Sequence, residues 1–222
     1  MISIIIITKN ESSYIEKTLG NLQSLRLNYG IEIILVDGNS NDKTVKIAKP
    51  YVDKIITCSP KRSMQQNMGS HLASYENLLF LHADTYMPNK NHKEILDEIC
   101  QNQWGFFRLC LNNRLLKYRV LEFFINLRSK IFNYGTGDQG IFIKKSLFNE
   151  VGKFSELYIM EDIEICRKLK SVCKPYIIKS DLITSTRRWE TYGFIKTIFK
   201  MRLLRLLYYL GIKNKRLNAF YP

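Results

Sequence analysis

The 222-residue sequence holds only five cysteines, an odd number with no Cys-x-x-Cys pair, so neither a zinc ribbon nor a complete disulfide framework is encoded. Cys58, Cys100, Cys110, Cys166 and Cys173 read instead as reduced, mostly buried thiols. Five prolines and eleven glycines are too few for a collagen-like or low-complexity chain. No window approaches the roughly eighteen uncharged apolar residues that a spanning helix needs, and the N-terminus lacks the basic region and small-residue cleavage site of a signal peptide. A cytosolic location is expected, with peripheral membrane contact open. Acidic residues are scarce in one place: residues 165–222 hold 14 Lys and Arg against 2 Asp and Glu, whereas residues 1–110 hold 12 against 11. The net charge of +14 therefore belongs to the C-terminal quarter. Such an excess suggests nucleic acid, a phosphate-bearing ligand or an acidic membrane as partner. No basic stripe interleaved with aromatics forms a recognisable nucleic-acid module, so nucleic acid is not expected.

What is present is a globular composition, 45% apolar with ordinary charge density. Residues 2–7 and 31–36 are continuous apolar runs, the pattern of strands covered on both faces of a parallel sheet. Between them Ile15, Leu19, Leu22 and Leu25 fall at helical spacing over residues 12–27, after the cap candidates Asn10, Ser12 and Ser13. A helix over 44–49 ended by Pro50, a strand over 54–57, a helix over 63–74 and a strand over 77–81 continue the alternation. This order predicts an α/β fold built on an open, mostly parallel sheet with right-handed crossovers. After Asp84 the alternation lapses into helices over 92–102, 115–132, 161–172 and 194–210, with strands over 105–111 and 140–143. No repeat or linker divides the chain, so one domain is expected over 1–222.

Ligands of open parallel sheets sit at the C-terminal strand ends. Thr8-Lys9-Asn10-Glu11 follows the first strand without a glycine, which excludes both the GxGxxG dinucleotide fingerprint and the GxxxxGK[ST] phosphate loop. Asp37 ends the second strand ahead of a polar turn in which Asp42 suits a helix cap. His82-Ala83-Asp84 offers a strand-end carboxylate for a hard divalent cation, although an ordinary turn has the same composition. Glu161 and Asp162 open a helix, where acids also serve as dipole partners. Arg187-Arg188-Trp189 and the glycine-rich loop 135–140 admit a surface and a turn reading beside a functional one.

Asn10-Glu11, Val36-Asp37-Gly38-x-Ser40-x-Asp42-x-Thr44, Arg62-x-x-Gln65-x-Asn67-x-Gly69, His82-Ala83-Asp84, Gly137-Asp138-Gln139, Met160-Glu161-Asp162 and Arg187-Arg188-Trp189 together resemble family 2 inverting glycosyltransferases of the GT-A fold. Within that family the set is most similar to the bacterial radical-SAM/selenoprotein-domain-associated subgroup. The resemblance implies a nucleotide-sugar half over 1–110, an acceptor and catalytic half over 111–190 and a basic helical arm over 191–222. It implies donor contacts from Thr8, Asn10, Glu11, Asp37, Arg62, Asn67, Asp84, Arg187 and Arg188, with Gly69 letting the donor lie close. It further implies an acceptor side formed by Gly137, Asp138, Gln139, Glu161 and Trp189. Asp84 matches the last acid of the family's DxD triplet and would hold Mn²⁺ or Mg²⁺, while His82 replaces the first acid. Asp162 matches the general base. The implied reaction moves a sugar from a nucleotide-diphosphate donor to an acceptor hydroxyl.

Two other readings stand beside it. A catalytically degenerate, membrane-associated relative is compatible with His82, and a sugar-1-phosphate nucleotidyltransferase shares the sheet but normally carries a glycine-rich basic loop after the first strand. In residues 194–210, Ile195, Ile198, Phe199, Leu203, Leu206 and Leu210 form a broad apolar face that Arg202 interrupts. That helix either packs on the sheet with snorkelling arginines or lies on an anionic membrane through Lys196, Lys200, Arg202 and Arg205.

Overall fold

A computed structural model describes residues 1–88, 91–212 and 214–221. Lys213 and Pro222 of the expected 191–222 arm lie outside the described residues. The chain runs β1 (Ile2–Thr8), α1 (Ile15–Tyr29), β2 (Glu32–Asp37), α2 (Thr44–Ala48), β3 (Lys54–Thr57), α3 (Arg62–Leu72), β4 (Asn77–His82) and β5 (Thr85–Tyr86). It continues as α4 (His92–Gln101), β6 (Trp104–Leu111), α5 (Leu116–Phe132), β7 (Ile141–Lys144), α6 (Lys145–Glu150), α7 (Glu161–Lys170), β8 (Tyr176–Thr184), α8 (Arg187–Tyr192), α9 (Phe194–Tyr209) and α10 (Asn214–Asn218). One eight-stranded sheet has the order β3-β2-β1-β4-β7-β6-β8-β5. Its β1–β4, β6 and β8 point one way, and β7 and β5 run antiparallel to their neighbours.

The isoleucines of β1, at position 2 and from 4 to 7, are explained by cover on both faces. Ile2, Ile4 and Ile6 join the core under α1 and α4, and Ile5 joins the opposite core under α3, α6 and α7. Alternation in a strand sends successive side chains to opposite faces, so both sets must be apolar. Gly69 serves this packing: a Cβ there would lie 2.4 Å from the Ile5 side chain, so α3 reaches the sheet only because residue 69 has none. The expectation that Gly69 makes room for a donor is therefore corrected, because its free space faces β1 and β2.

Several local expectations also change. Tyr14, not Asn10, Ser12 or Ser13, stands at the N-cap of α1, without a side-chain cap bond. Asp42 does cap, accepting the Thr44 amide at 2.9 Å. Pro50 falls within a 3₁₀ turn, Lys49–Tyr51, that prolongs α2. Only Cys166 of the five free thiols is buried; the others are half-buried. β8 and α8 were not anticipated, and β8 inserts between β6 and β5, with a register shift between Phe107 and Arg108. α9 does not pack on the sheet. Leu204 and Thr197 are its buried residues, Leu204 meeting Ile159, Met160 and Ile163 around the start of α7. Of the two alternatives for its broad apolar face, packing on the sheet is not what is seen: Ile195, Phe199, Leu203, Leu206 and Leu210 are exposed. No helix among the described residues is long and apolar enough to cross a membrane.

Candidate active site

Parallel strands β1, β2 and β4 end at one edge, and their last residues are polar because no further strand or helix covers them there. Thr8 and Asp37 are register partners. Thr8 is buried with its hydroxyl unpartnered. Asp37 accepts the Ser40 amide at 2.8 Å and the Ser40 hydroxyl at 2.5 Å, which folds the polar turn back on the strand end. Asn10 adopts a left-handed backbone, φ 55°, and accepts the Asn41 amide at 3.0 Å. Glu11 receives both terminal guanidinium nitrogens of Arg187, at 2.8 and 2.9 Å, while Tyr14 stacks beneath that guanidinium at 4.5 Å. The first loop and α8 are thus tied together across 176 residues of chain.

A polar cavity of about 380 Å³ opens beside this tie, lined by Arg62, Asp84, Asp138, Arg187, Arg188 and Trp189, with Ser185, Thr191 and Tyr192 at its rim. The Asp84 carboxylate lies 3.7 Å from Arg187. A larger cavity of about 450 Å³ adjoins it and shares Arg62, Asp138, Arg188 and Trp189 as a common wall. Its remaining lining is largely apolar, from α5, α7 and α9, but it also contains His82, Asp162, Arg128 and Arg205.

Asp162 sits in the first turn of α7, which starts from a left-handed Met160. Its carboxylate accepts the Gly137 amide at 3.0 Å and the Ile163 amide at 2.8 Å, so two donors fix the direction in which its remaining lone pairs point. Gly137 is required here for a second reason. A Cβ would lie 2.5 Å from His82 Nε2, so the loop closes over that ring only as glycine. His82 Nδ1 faces Asp138 at 3.2 Å, and Nε2 is buried without a partner. Burial works against a charged imidazole, but the hydrogen bond and charge of Asp138 outweigh it and hold His82 above its ordinary value. For Asp138, burial is likewise outweighed by the bond to His82 and the charge of Arg188, and its carboxyl is held far below the usual range. Glu161 is buried 3.9 Å from Arg62, and burial raises its carboxyl against the pull of that guanidinium.

Not every expected residue meets the cavities. Asn67 is spent on the Phe154 backbone, donating at 2.9 Å and accepting at 3.1 Å. Gln139 is buried and props the loop, donating to the Phe107 carbonyl and accepting from Ser129 and Thr136. Glu161 supports Arg62 from below rather than lining a cavity. Thr8, Asn10, Glu11 and Asp37 border the strand-end edge outside both cavities. Conversely, Tyr221 was not anticipated: it accepts a bond from Arg62 at 3.1 Å and lies under both Arg62 and Arg188. Arg128 was missed too, hidden in what reads as an apolar and basic helix.

Among the described residues no three His, Cys, Asp or Glu side chains converge as a metal site. Asp84 alone, half-open to the polar cavity and without a backbone donor on it, fits a hard cation that takes one or two protein oxygens and fills its other positions with phosphate oxygens and water. The residues fit a cation shared with a bound diphosphate.

The two adjoining cavities thus lie where open α/β sheets bind their ligands, one ringed by guanidiniums and the other faced by the Asp162 carboxylate. The chain belongs to glycosyl transferase family 2, whose family model matches residues 3–151. The fold is GT-A. A mannosyltransferase from Pyrobaculum calidifontis, solved with GDP-Man and Mn²⁺, is similar at TM-score 0.69 and 17% identity, over 91% of this chain and 60% of that one. TarS of S. aureus, residues 1–349 with UDP-GlcNAc, is similar at TM-score 0.65 and 18% identity, over 84% of this chain and 58% of that one. The longer TarS structure matches at TM-score 0.66 and 16% identity, with 91% of this chain covering 39% of it. The chain therefore spans between 39% and 60% of the length of these structures. No curated protein sequence matches it.

Proposed function

We propose that the protein transfers a sugar from a nucleotide diphosphate to an acceptor hydroxyl with inversion at the anomeric carbon. The observation that carries this reading is Asp162, aimed by two backbone amides into one cavity, across a shared wall of Arg62 and Arg188 from the polar cavity that holds Asp84. The acceptor oxygen attacks the anomeric carbon, its proton passes to Asp162, and the bond to the diphosphate oxygen breaks with the electron pair leaving on the nucleoside diphosphate. Arg62, Arg187 and Arg188 face the charge that develops on that leaving group. A divalent cation held at Asp84 would supply further neutralisation of the diphosphate. Thr8, Glu11 and Asp37, at the strand ends, suit the nucleoside. The ligands of the similar structures, UDP-GlcNAc and GDP-Man with Mn²⁺, support a nucleotide-sugar donor. The narrower resemblance to the radical-SAM/selenoprotein-domain-associated subgroup rests on the order of the seven motifs.

One observation favours a second reading, a degenerate relative that binds without transferring. Arg187, 3.7 Å from Asp84, puts a fixed cation beside the carboxylate expected to hold the metal. A thermal-shift screen of common nucleotide sugars, with Mn²⁺ and with EDTA, followed by assay of nucleoside diphosphate release, separates the two. Stabilisation by one nucleotide class that depends on Mn²⁺, with turnover, is expected. Binding without any release in the presence of acceptor extracts would favour the degenerate relative, and no stabilisation by any nucleotide would remove both.

A further inference from the structure

Helix α5 buries only Tyr118 and Ser129, and α9 only Thr197 and Leu204. On α5, Leu116, Val120, Phe123, Leu127 and Ile131 recur at three- and four-residue spacing and all face solvent, Leu116 78% and Phe123 61% exposed. On α9, Ile195, Phe199, Leu203, Leu206 and Leu210 do the same, Ile195 80% and Phe199 72% exposed. A stripe of that spacing is ordinarily the buried side of a helix. Exposed apolar surface of this extent marks a place where something else binds.

The stripes are continuous with the proposed active site. Leu127 and Ile131 belong both to the α5 stripe and to the lining of the larger cavity, which Phe124, Ile198 and Met201 extend between α5 and α9. Arg128, Arg202 and Arg205 line the same cavity. Among the described residues none of the three forms an ion pair with Asp or Glu. The Nε atoms of Arg128 and Arg205 are buried without a hydrogen-bond partner. Burial and the neighbouring charge of Arg205 press Arg128 below its ordinary value against the opposing pull of Tyr134 and Asp162, and its Nη2 donates to the neutral Ser129 and Gln139 side chains, so a bound anion would relieve the repulsion between the two guanidiniums. Buried cationic groups need such a partner, and guanidiniums pair with phosphate through directed, charge-assisted bonds.

We propose that the acceptor hydroxyl belongs to a phosphate-bearing lipid, its hydrocarbon chain lying between α5 and α9 and its phosphate held by Arg128, Arg202 and Arg205, so that the hydroxyl reaches Asp162 and gives it the proton lost on transfer. This rests on the transfer reading above and names the substrate class for it. The apolar stripes at the mouth then sit against the lipid phase from which such an acceptor is drawn, with Lys196 and Lys200 beside them on α9. A soluble sugar acceptor would use neither the apolar walls nor the guanidiniums that lack an acidic partner.

The test measures binding of farnesyl phosphate, farnesol and inorganic phosphate to the full chain by calorimetry, with Trp189 fluorescence as a second signal. The nucleoside diphosphate found in the donor screen is titrated in parallel. Arg205→Gln and Phe124→Asp, both on partly exposed helix surface, are compared with the parent after circular dichroism confirms their fold. Farnesyl phosphate is expected to bind about tenfold more tightly than either farnesol or inorganic phosphate, the scale of one charge-assisted contact. Each variant should lose about tenfold of that affinity while nucleotide affinity holds. Absent binding, equal binding of farnesol, or binding that survives both substitutions overturns the proposal. So does a stable dimer in ultracentrifugation that Phe124→Asp dissolves and farnesyl phosphate does not, which would assign the groove to a second copy of the chain. Failure of every nucleotide to bind would instead sink the transfer reading, leaving the lipid titration with its own answer.

Discussion

Helices α1 and α5 are similar in length and opposite in use. α1 buries Ile15, Thr18, Leu19, Leu22 and Leu25 against the sheet, whereas α5, longer and more apolar, buries two residues and leaves Phe123, Phe124, Leu127 and Ile131 exposed. The first half of the chain spends its apolar residues on its own core. Helix α5 spends its own on a cavity wall and a surface. At the strand ends Asp37, Asp42 and Glu11 are tied by Ser40, Thr44 and Arg187, while Arg128 and Arg205 in the cavity between α5 and α9 retain unpartnered buried nitrogens. The difference teaches that an apolar stripe closes a core or walls an open cavity according to what packs over it.

The sharpest way to break this division is at its catalytic boundary. Asp162→Asn should lower turnover by about 10²–10⁴-fold, the usual worth of a positioned base, with nucleotide affinity unchanged by calorimetry. Retention of near-parental turnover would place the base elsewhere. Next in size, Leu22→Ala on α1 should cost about 2–5 kcal/mol in urea unfolding, whereas Phe123→Ala on α5 should stay within about 0.5 kcal/mol. Equal losses would show that α5 is packed after all. A smaller effect is expected from Asp84→Asn, which should weaken Mn²⁺-dependent nucleotide binding about tenfold and leave farnesyl phosphate binding alone. Were both ligands affected, the two cavities would not be separate functions.

The smallest contrast is in pH dependence. Burial opposes ionisation of Glu32, but the bonds from Lys54, Ser3 and Ser74 outweigh it and bring the carboxyl from 4.5 to about 2. A depressed folded value gives stability present above pH 4.5 and lost as pH falls toward 2, so Glu32→Gln should flatten that acid limb of the unfolding midpoint. Glu161 has the opposite sign: burial raises it above 4.5, so its contribution is present below that pH and lost as pH rises through its folded value. Glu161→Gln should accordingly remove a loss of stability on the neutral side, and a parent protein whose unfolding midpoint does not change between about pH 5 and 7 would argue against that burial.

Legibility followed the same division. Runs such as residues 4–7 and 33–36 announce doubly covered strands because residues on both faces are apolar. β8 was hidden because Lys179, Ser180 and Asp181 interrupt its apolar pattern where the register shifts against β6. On α9 the apolar face is plain in sequence, yet the packing uses Leu204 and leaves Ile195 and Phe199 outside. Periodicity reports which face is apolar, not what covers it.

The motif order by itself determined the family, the strand-end acids Asp37 and Asp84, and Asp162 as candidate base, because those residues sit at fixed offsets from recognisable elements. Only the tertiary structure decided that Asn67 and Gln139 brace loops, that Tyr221 lies under Arg62, and that Arg128 and Arg205 share a cavity with Asp162. Local sequence encodes the element that carries a side chain. The partners it meets come from elements tens of residues away, and those are set by how the helices pack.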